Sequence, residues 1–144
     1  MSNDDTVKLL KECDAGTKMA VSSINEVIDQ VKDNEMKDLL YKSRNHHENL
    51  GNEIHDLLIQ HGSEDKDPSA MAKGMSWMKT NMKMGMDHSD ATVADLITDG
   101  CNMGIKSLHK YLNQYQAVDK TSKDICGKLS DIEETLCKDL RKYL

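Results

Sequence analysis

Apolar side chains recur at helical spacing along almost the whole of this chain, and only a few short breaks interrupt them. The first stripe runs through Leu9 or Leu10, Cys13, Thr17, Ala20, Ile24, Val27 and Val31, over about Thr6 to Lys32. Asp33-Asn34 breaks it and offers a cap to the next segment. A second stripe, from about Glu35 to His61, holds Met36, Leu39, Ser43, His47, Leu50, Ile54, Leu57 and His61, and Gly62 stops it. Asp67-Pro68 opens a shorter segment, with an N-cap carboxylate and proline in the first turn, and places Met71, Met75, Met78 and Met82 on one face beside Trp77. Gly85 ends that segment and Ser89 can cap the next, which carries Val93, Ile97, Cys101, Gly104, Leu108, Tyr111 and Tyr115 to about Val118. Thr121-Ser122-Lys123-Asp124 reads as a capping box with Asp in place of Glu, ahead of Ile125, Leu129, Ile132, Leu136 and Leu140.

A 3.6-residue period sustained this long leaves no room for alternating strands, so the expected class is all-α. The composition agrees, with no Phe, one Trp, one Pro and ten Met among 144 residues. That length fits one domain, 1–144. Short turns join the first two long segments and the last two, which predicts two antiparallel hairpins. The connection over about 63–89, with a Met-rich crossover helix of its own, is long enough to return along the molecule. Two hairpins joined by one long crossover make a ferritin-like four-helix bundle. A plain up-down bundle with a loose long loop is the competing layout. Gly100 and Gly104, four apart, predict close approach of a neighbouring helix, with the crossover helix as the natural neighbour.

The formal charge of −6, with 25 acidic against 19 basic residues, argues against nucleic-acid binding. No apolar run reaches the roughly 20 residues of a membrane span. The opening Met1-Ser2-Asn3-Asp4-Asp5 lacks a signal pattern, so the expected location is cytoplasmic, with Cys13, Cys101, Cys126 and Cys137 as reduced thiols.

Several stretches together resemble a bacterial ferritin-like four-helix-bundle domain family of unknown function. They are Leu10 to Gly16 with its Asp-x-Gly, Asp33 to Leu39, Leu50 to Gly62, the Gly74-x-x-Trp77 crossover segment, and Gly100 with Tyr111-Leu112. The resemblance covers nearly the whole chain and implies the fold rather than an activity. Family members tend to carry acidic residues just after the glycine matching Gly100. This chain has Cys101-Asn102 there, so the resemblance carries over no metal site.

A di-iron centre in such a bundle draws on Glu-x-x-His pairs, because residues three apart share a helix face. The chain contains none, and no Glu lies between Asp90 and Val118. What faces inward is softer. Cys101, Cys137 and His47 (or His46, one residue out of phase) fall at similar heights in the expected layout, and Glu134 with Cys137 forms a Glu-x-x-Cys pair. Thiolate and imidazole select zinc or copper(I). Cys126 shares a helix face with Cys137 but lies roughly 16 Å along it, level with Cys13. Met82, Met84, Met86 and His88 form a second soft-ligand segment suited to copper(I). Against both stands ordinary core packing, the usual role of buried Cys and Met.

No phosphate-binding glycine loop or G-x-S-x-G is present. The leading expectation is a non-enzymatic cytoplasmic bundle with a stress-related or interaction role, acting through a protein partner or as a homo-oligomer. A soft-metal (zinc or copper) or redox-responsive bundle is the alternative, and a rearranged di-metal oxidase the third reading.

Overall fold

Three helices begin where a short polar side chain takes up a free backbone N–H, and these caps set the frame. The computed structural model describes residues 4–63 and 89–144. Within them α1 spans Asp4–Val27, α2 Asn34–Gln60, α3 Asp90–Gln114 and α4 Lys120–Leu140, with short 3-10 turns at Ile28–Gln30 and Arg141–Tyr143. Asp33 accepts from Met36 N, Ser89 from Thr92 N and Asp119 from Ser122 N. At the end of α2, Gly62 adopts φ 73°, and Ser63 N and Gly62 N donate to Leu58 O and Ile59 O at 2.9 Å each. A glycine is needed there because only it takes the left-handed conformation without cost.

The expected boundaries shift at three places. The first helix stops at Val27 rather than near Lys32, and the third long helix stops at Gln114 rather than near Val118. The last helix is capped by Asp119, not by a box opening at Thr121, because Ser122 is fully buried and only its N–H is used. On α2 the phase also moves by one residue, so that Leu40 and Leu58 are fully buried while Leu39 and Leu57 are half-buried.

Polar contacts at the helix starts explain the early stops. Asp90, the first residue of α3, accepts Lys32 N–H at 2.8 Å and Asp33 N–H at 3.0 Å through its two carboxylate oxygens. At the opposite end Asp5 accepts Ala117 N–H at 3.1 Å and the Thr6 hydroxyl accepts Asp119 N–H at 2.9 Å. The first helix of each hairpin therefore holds the turn of the other, and both turns leave helical geometry to meet these acceptors.

These clasps define the directions. With α1 taken as rising, α2 and α3 descend and α4 rises. The end of α2 meets the start of α4, with His61 Nε2 3.6 Å from Asp119 Oδ2, whereas α3 starts at the far end. The neighbouring pairs α1/α2, α3/α4, α2/α4 and α1/α3 all run antiparallel. The expected Met-rich crossover helix lies outside the described residues.

Two apolar clusters fill the bundle. One holds Ile24, Met36, Leu40, Val93, Ile97, Leu136 and Leu140, and the other Leu9, Leu10, Leu50, Ile54, Leu58, Ile125 and Leu129. Between them, at mid-height, the inward positions are polar: Asp14, Thr17, Ser43, His47, Ser130 and Glu133. Among the described residues no helix is long and apolar enough to cross a membrane.

Candidate functional site

The inward face of α4 carries Cys126, Ser130, Glu133 and Cys137, spaced four, three and four residues, so all four lie along one stripe. Glu133 reaches the middle of the bundle and is 6% exposed. Room for it comes from α3: a Cβ built on Gly104 would lie 2.8 Å from Glu133 Oε1 and nearer still to Oε2. Burial pushes the Glu133 carboxyl up to about 8, with Cys137 and Cys126 nearby adding to the shift. At neutral pH it is mainly the uncharged acid.

His47 faces it from α2 and is fully buried. Its Nδ1 lies 2.8 Å from the Ser43 carbonyl oxygen. A carbonyl can only accept, so Nδ1 carries the proton and Nε2 presents its lone pair. Burial pushes His47 below its ordinary value, so the ring is neutral. Nε2 lies 4.0 Å from Glu133 Oε1, too far for a hydrogen bond. Two neutral groups at that separation do not form an ion pair. Among the described residues, His47 Nε2 and Glu133 Oε2 are both buried without a hydrogen-bond partner. On the α1 side, Thr17 donates to Asp14 O at 2.8 Å and Asp14 Oδ2 takes Lys18 Nζ at 2.8 Å.

Above and below this layer the four cysteines stand in two pairs, all as free thiols. Cys13 of α1 is hydrogen-bonded to Cys126 of α4, and Cys101 of α3 to Cys137 of α4. The hydrogen bond to its partner, then burial, pushes each of Cys13 and Cys101 well above the ordinary thiol range. Cys137 moves the other way. The hydrogen bond from Cys101 favours its thiolate and Arg141 adds to this, against opposition from burial and Glu134. The Cys137 thiol also donates to Asn102 Oδ1 at 3.7 Å and to the Thr98 carbonyl oxygen at 3.9 Å, and these two contacts favour its protonated form.

Of the soft-ligand set read from the sequence, Cys101 and Cys137 meet. His47 is inward but faces Glu133, and His46 is exposed. Glu134 lies on the exposed side of α4, because the helix phase turns its neighbour Glu133 inward instead. Met82, Met84, Met86 and His88 lie outside the described residues. Among the described residues no three His, Cys, Asp or Glu side chains are grouped so as to hold a metal ion. Sequence reasoning missed Glu133. Its signal is the stripe it shares with Cys126 and Cys137, together with a glycine opposite.

No protein-family model, curated protein or solved structure matches this chain.

Proposed function

We propose that this chain is a redox-responsive, non-enzymatic bundle of ferritin-like layout, serving a cytoplasmic stress-related or interaction role. The observation that carries the reading is the arrangement of four cysteines as two buried thiol pairs, each joining α4 to a different helix. Oxidation of a pair removes two hydrogens and forms one sulfur–sulfur bond. A two-electron oxidant takes them up, such as a hydroperoxide reduced to water and an alcohol, or a disulfide reduced to two thiols. Bridged, α4 is tied covalently to α1 at one height and to α3 at the other. Reduced, it is held by packing and hydrogen bonds, with no covalent tie to either helix. The difference would be read by a protein partner or by a second copy. The up–down–down–up order, with α2 ending at one end and α3 starting at the other, supports the ferritin-like layout.

Zinc or copper(I) on the Cys101–Cys137 pair is a second reading, favoured by two adjacent thiols with Asn102 Oδ1 beside them. A di-metal oxidase has less support, since the mid-bundle layer offers one imidazole, one uncharged carboxyl and Asp14, which is paired with Lys18, and the sequence has no Glu-x-x-His.

Thiol counting tests the redox reading. Protein treated with diamide is unfolded in an alkylating agent and weighed intact. The alkylatable thiols should fall from four in steps of two. Retention of all four, under conditions that oxidise a dithiol peptide, overturns it. Metal content of the reduced protein after zinc or copper(I) loading, compared with Cys101→Ser, decides the second reading.

A further inference from the structure

The two thiol pairs are chemically unequal. Cys13 and Cys126 are 0% exposed and sit in the apolar cluster of Leu9, Leu10, Ile125 and Leu129. Cys101 and Cys137 are 6% and 7% exposed. Cys137 lies in the last turn of α4, three residues before the helix ends at Leu140. Its surroundings are polar on one side, with the Thr98 carbonyl, the exposed Asn102 and, one turn on, Arg141. Helix ends open locally at far lower cost than mid-bundle segments, so this sulfur can meet solvent while the bundle stays folded.

We propose that the Cys101–Cys137 pair is a site of reaction with small hydroperoxides, in which Cys137 is the attacking sulfur and Cys101 resolves it. This rests on the redox reading and names the oxidant and the order of events. Small size matters because Cys137 is only 7% exposed. A bulky disulfide would leave a thiol adduct wedged in the seam between α3 and α4, whereas a peroxide leaves a single oxygen atom.

In the first step the Cys137 thiolate attacks the terminal peroxide oxygen. A sulfur–oxygen bond forms and the oxygen–oxygen bond breaks. The leaving oxygen departs as alkoxide or hydroxide and takes up a proton, while Cys137 becomes the sulfenic acid. In the second step the Cys101 sulfur attacks Cys137. The sulfur–sulfur bond forms, the sulfur–oxygen bond breaks, and the hydroxyl leaves with the Cys101 proton as water. The net result is that two thiols and one hydroperoxide give one disulfide, one water and one alcohol, or a second water from hydrogen peroxide. Cys101 is already hydrogen-bonded to Cys137, so resolution needs no rearrangement of the helices. The same hydrogen bond, with Arg141 in support, favours the thiolate that attacks.

The test is time-resolved peptide mapping of the full chain exposed to hydrogen peroxide, with diamide in parallel. The Cys101–Cys137 bridge should appear first, about tenfold or more ahead of Cys13–Cys126, as access by local rather than global opening implies. In Cys101→Ser, dimedone should label Cys137. In Cys137→Ser, Cys101 should stay unlabelled on the same timescale. A first bridge at Cys13–Cys126, or dimedone on Cys101, overturns the proposal. So does a bridge formed by diamide but not by peroxide, and in each of these cases the redox reading survives. Failure of both oxidants to bridge either pair removes the proposal and the redox reading together. The wild-type mapping decides the order of bridging even if either serine variant fails to fold.

Discussion

Gly104 and the Glu133 carboxyl claim one volume, since a Cβ at residue 104 would stand 2.8 Å from Glu133 Oε1. In an ordinary helix Gly→Ala gains about 1 kcal/mol. Here Gly104→Ala should lose about 1 kcal/mol instead. The carboxyl is the free end of its side chain and can rotate from part of the overlap, but overpacking of a filled interior costs about 1–3 kcal/mol. In a Glu133→Ala background the sign should reverse and Gly104→Ala should stabilise. Urea unfolding of the four proteins in that cycle measures the coupling, and simple additivity would refute the shared volume.

The same carboxyl makes stability fall as pH rises. Its folded value, about 8, lies above the ordinary 4.5. Between these values the unfolded chain binds fewer protons at this group than the folded chain, so unfolding becomes easier with increasing pH. The contribution is complete below about pH 4.5 and lost by about pH 8, at about 1.4 kcal/mol per pH unit inside the window. Glu133→Gln should flatten this slope. Chemical denaturation from pH 5 to pH 9 of both proteins is the check, and parallel curves would count against a neutral Glu133.

His47 should act at the acid end. Its folded value is pushed below 6.5 by burial, so the neutral ring stabilises the fold above that pH and the contribution is lost as pH falls. NMR titration of the imidazole should show His47 still neutral at a pH where a histidine in a short unstructured peptide has already charged. A His47 that titrates with or above the peptide histidine would contradict the burial argument.

The helical frame was legible because period and caps depend on neighbours in sequence. Asp33 and Ser89 act as their positions suggest. Thr121 has the pattern of a cap, but Asp119 serves instead, since the choice depends on Ser122 turning into the core and on Thr6 holding Asp119 N from the far hairpin. The site was harder to read for the same reason. The apolar period puts Ile132 on the expected stripe, and Glu134 sits three residues before Cys137, so both draw attention from Glu133, the residue that is buried. What brings Glu133 inward is the missing side chain at Gly104 on another helix, a relationship no local pattern expresses. The cysteine pairs were half visible. Spacing placed Cys126 away from Cys137 and level with Cys13, yet which sulfurs touch depends on helix rotation.

Core truncation should separate the two clusters from the polar layer. Leu129 is fully buried, and its Cδ2 lies 3.7 Å from where a Cβ on Gly16 would stand. Leu129→Ala should cost about 2–5 kcal/mol, well above the cost of losing a solvated side chain such as Glu134. A thermal or urea midpoint shift below that of Glu134→Ala would mean that this end of the bundle is loosely packed.

The two reciprocal clasps should contribute independently, because they lie at opposite ends of the bundle. Asp90→Ala frees Lys32 N–H and Asp33 N–H, and Thr6→Val frees Asp119 N–H. Thr6 is fully buried, so its loss leaves a poorly solvated donor and should cost about 1–3 kcal/mol. Lys32 and Asp33 are exposed, and water can replace the carboxylate there, so Asp90→Ala should cost about 1 kcal/mol. Sites this far apart with no shared partner add to within about 0.5 kcal/mol. The double variant measured by urea unfolding should therefore match the sum. A shortfall larger than that would mean that releasing one turn already loosens the other, which would make the clasps a single cooperative element that joins the hairpins.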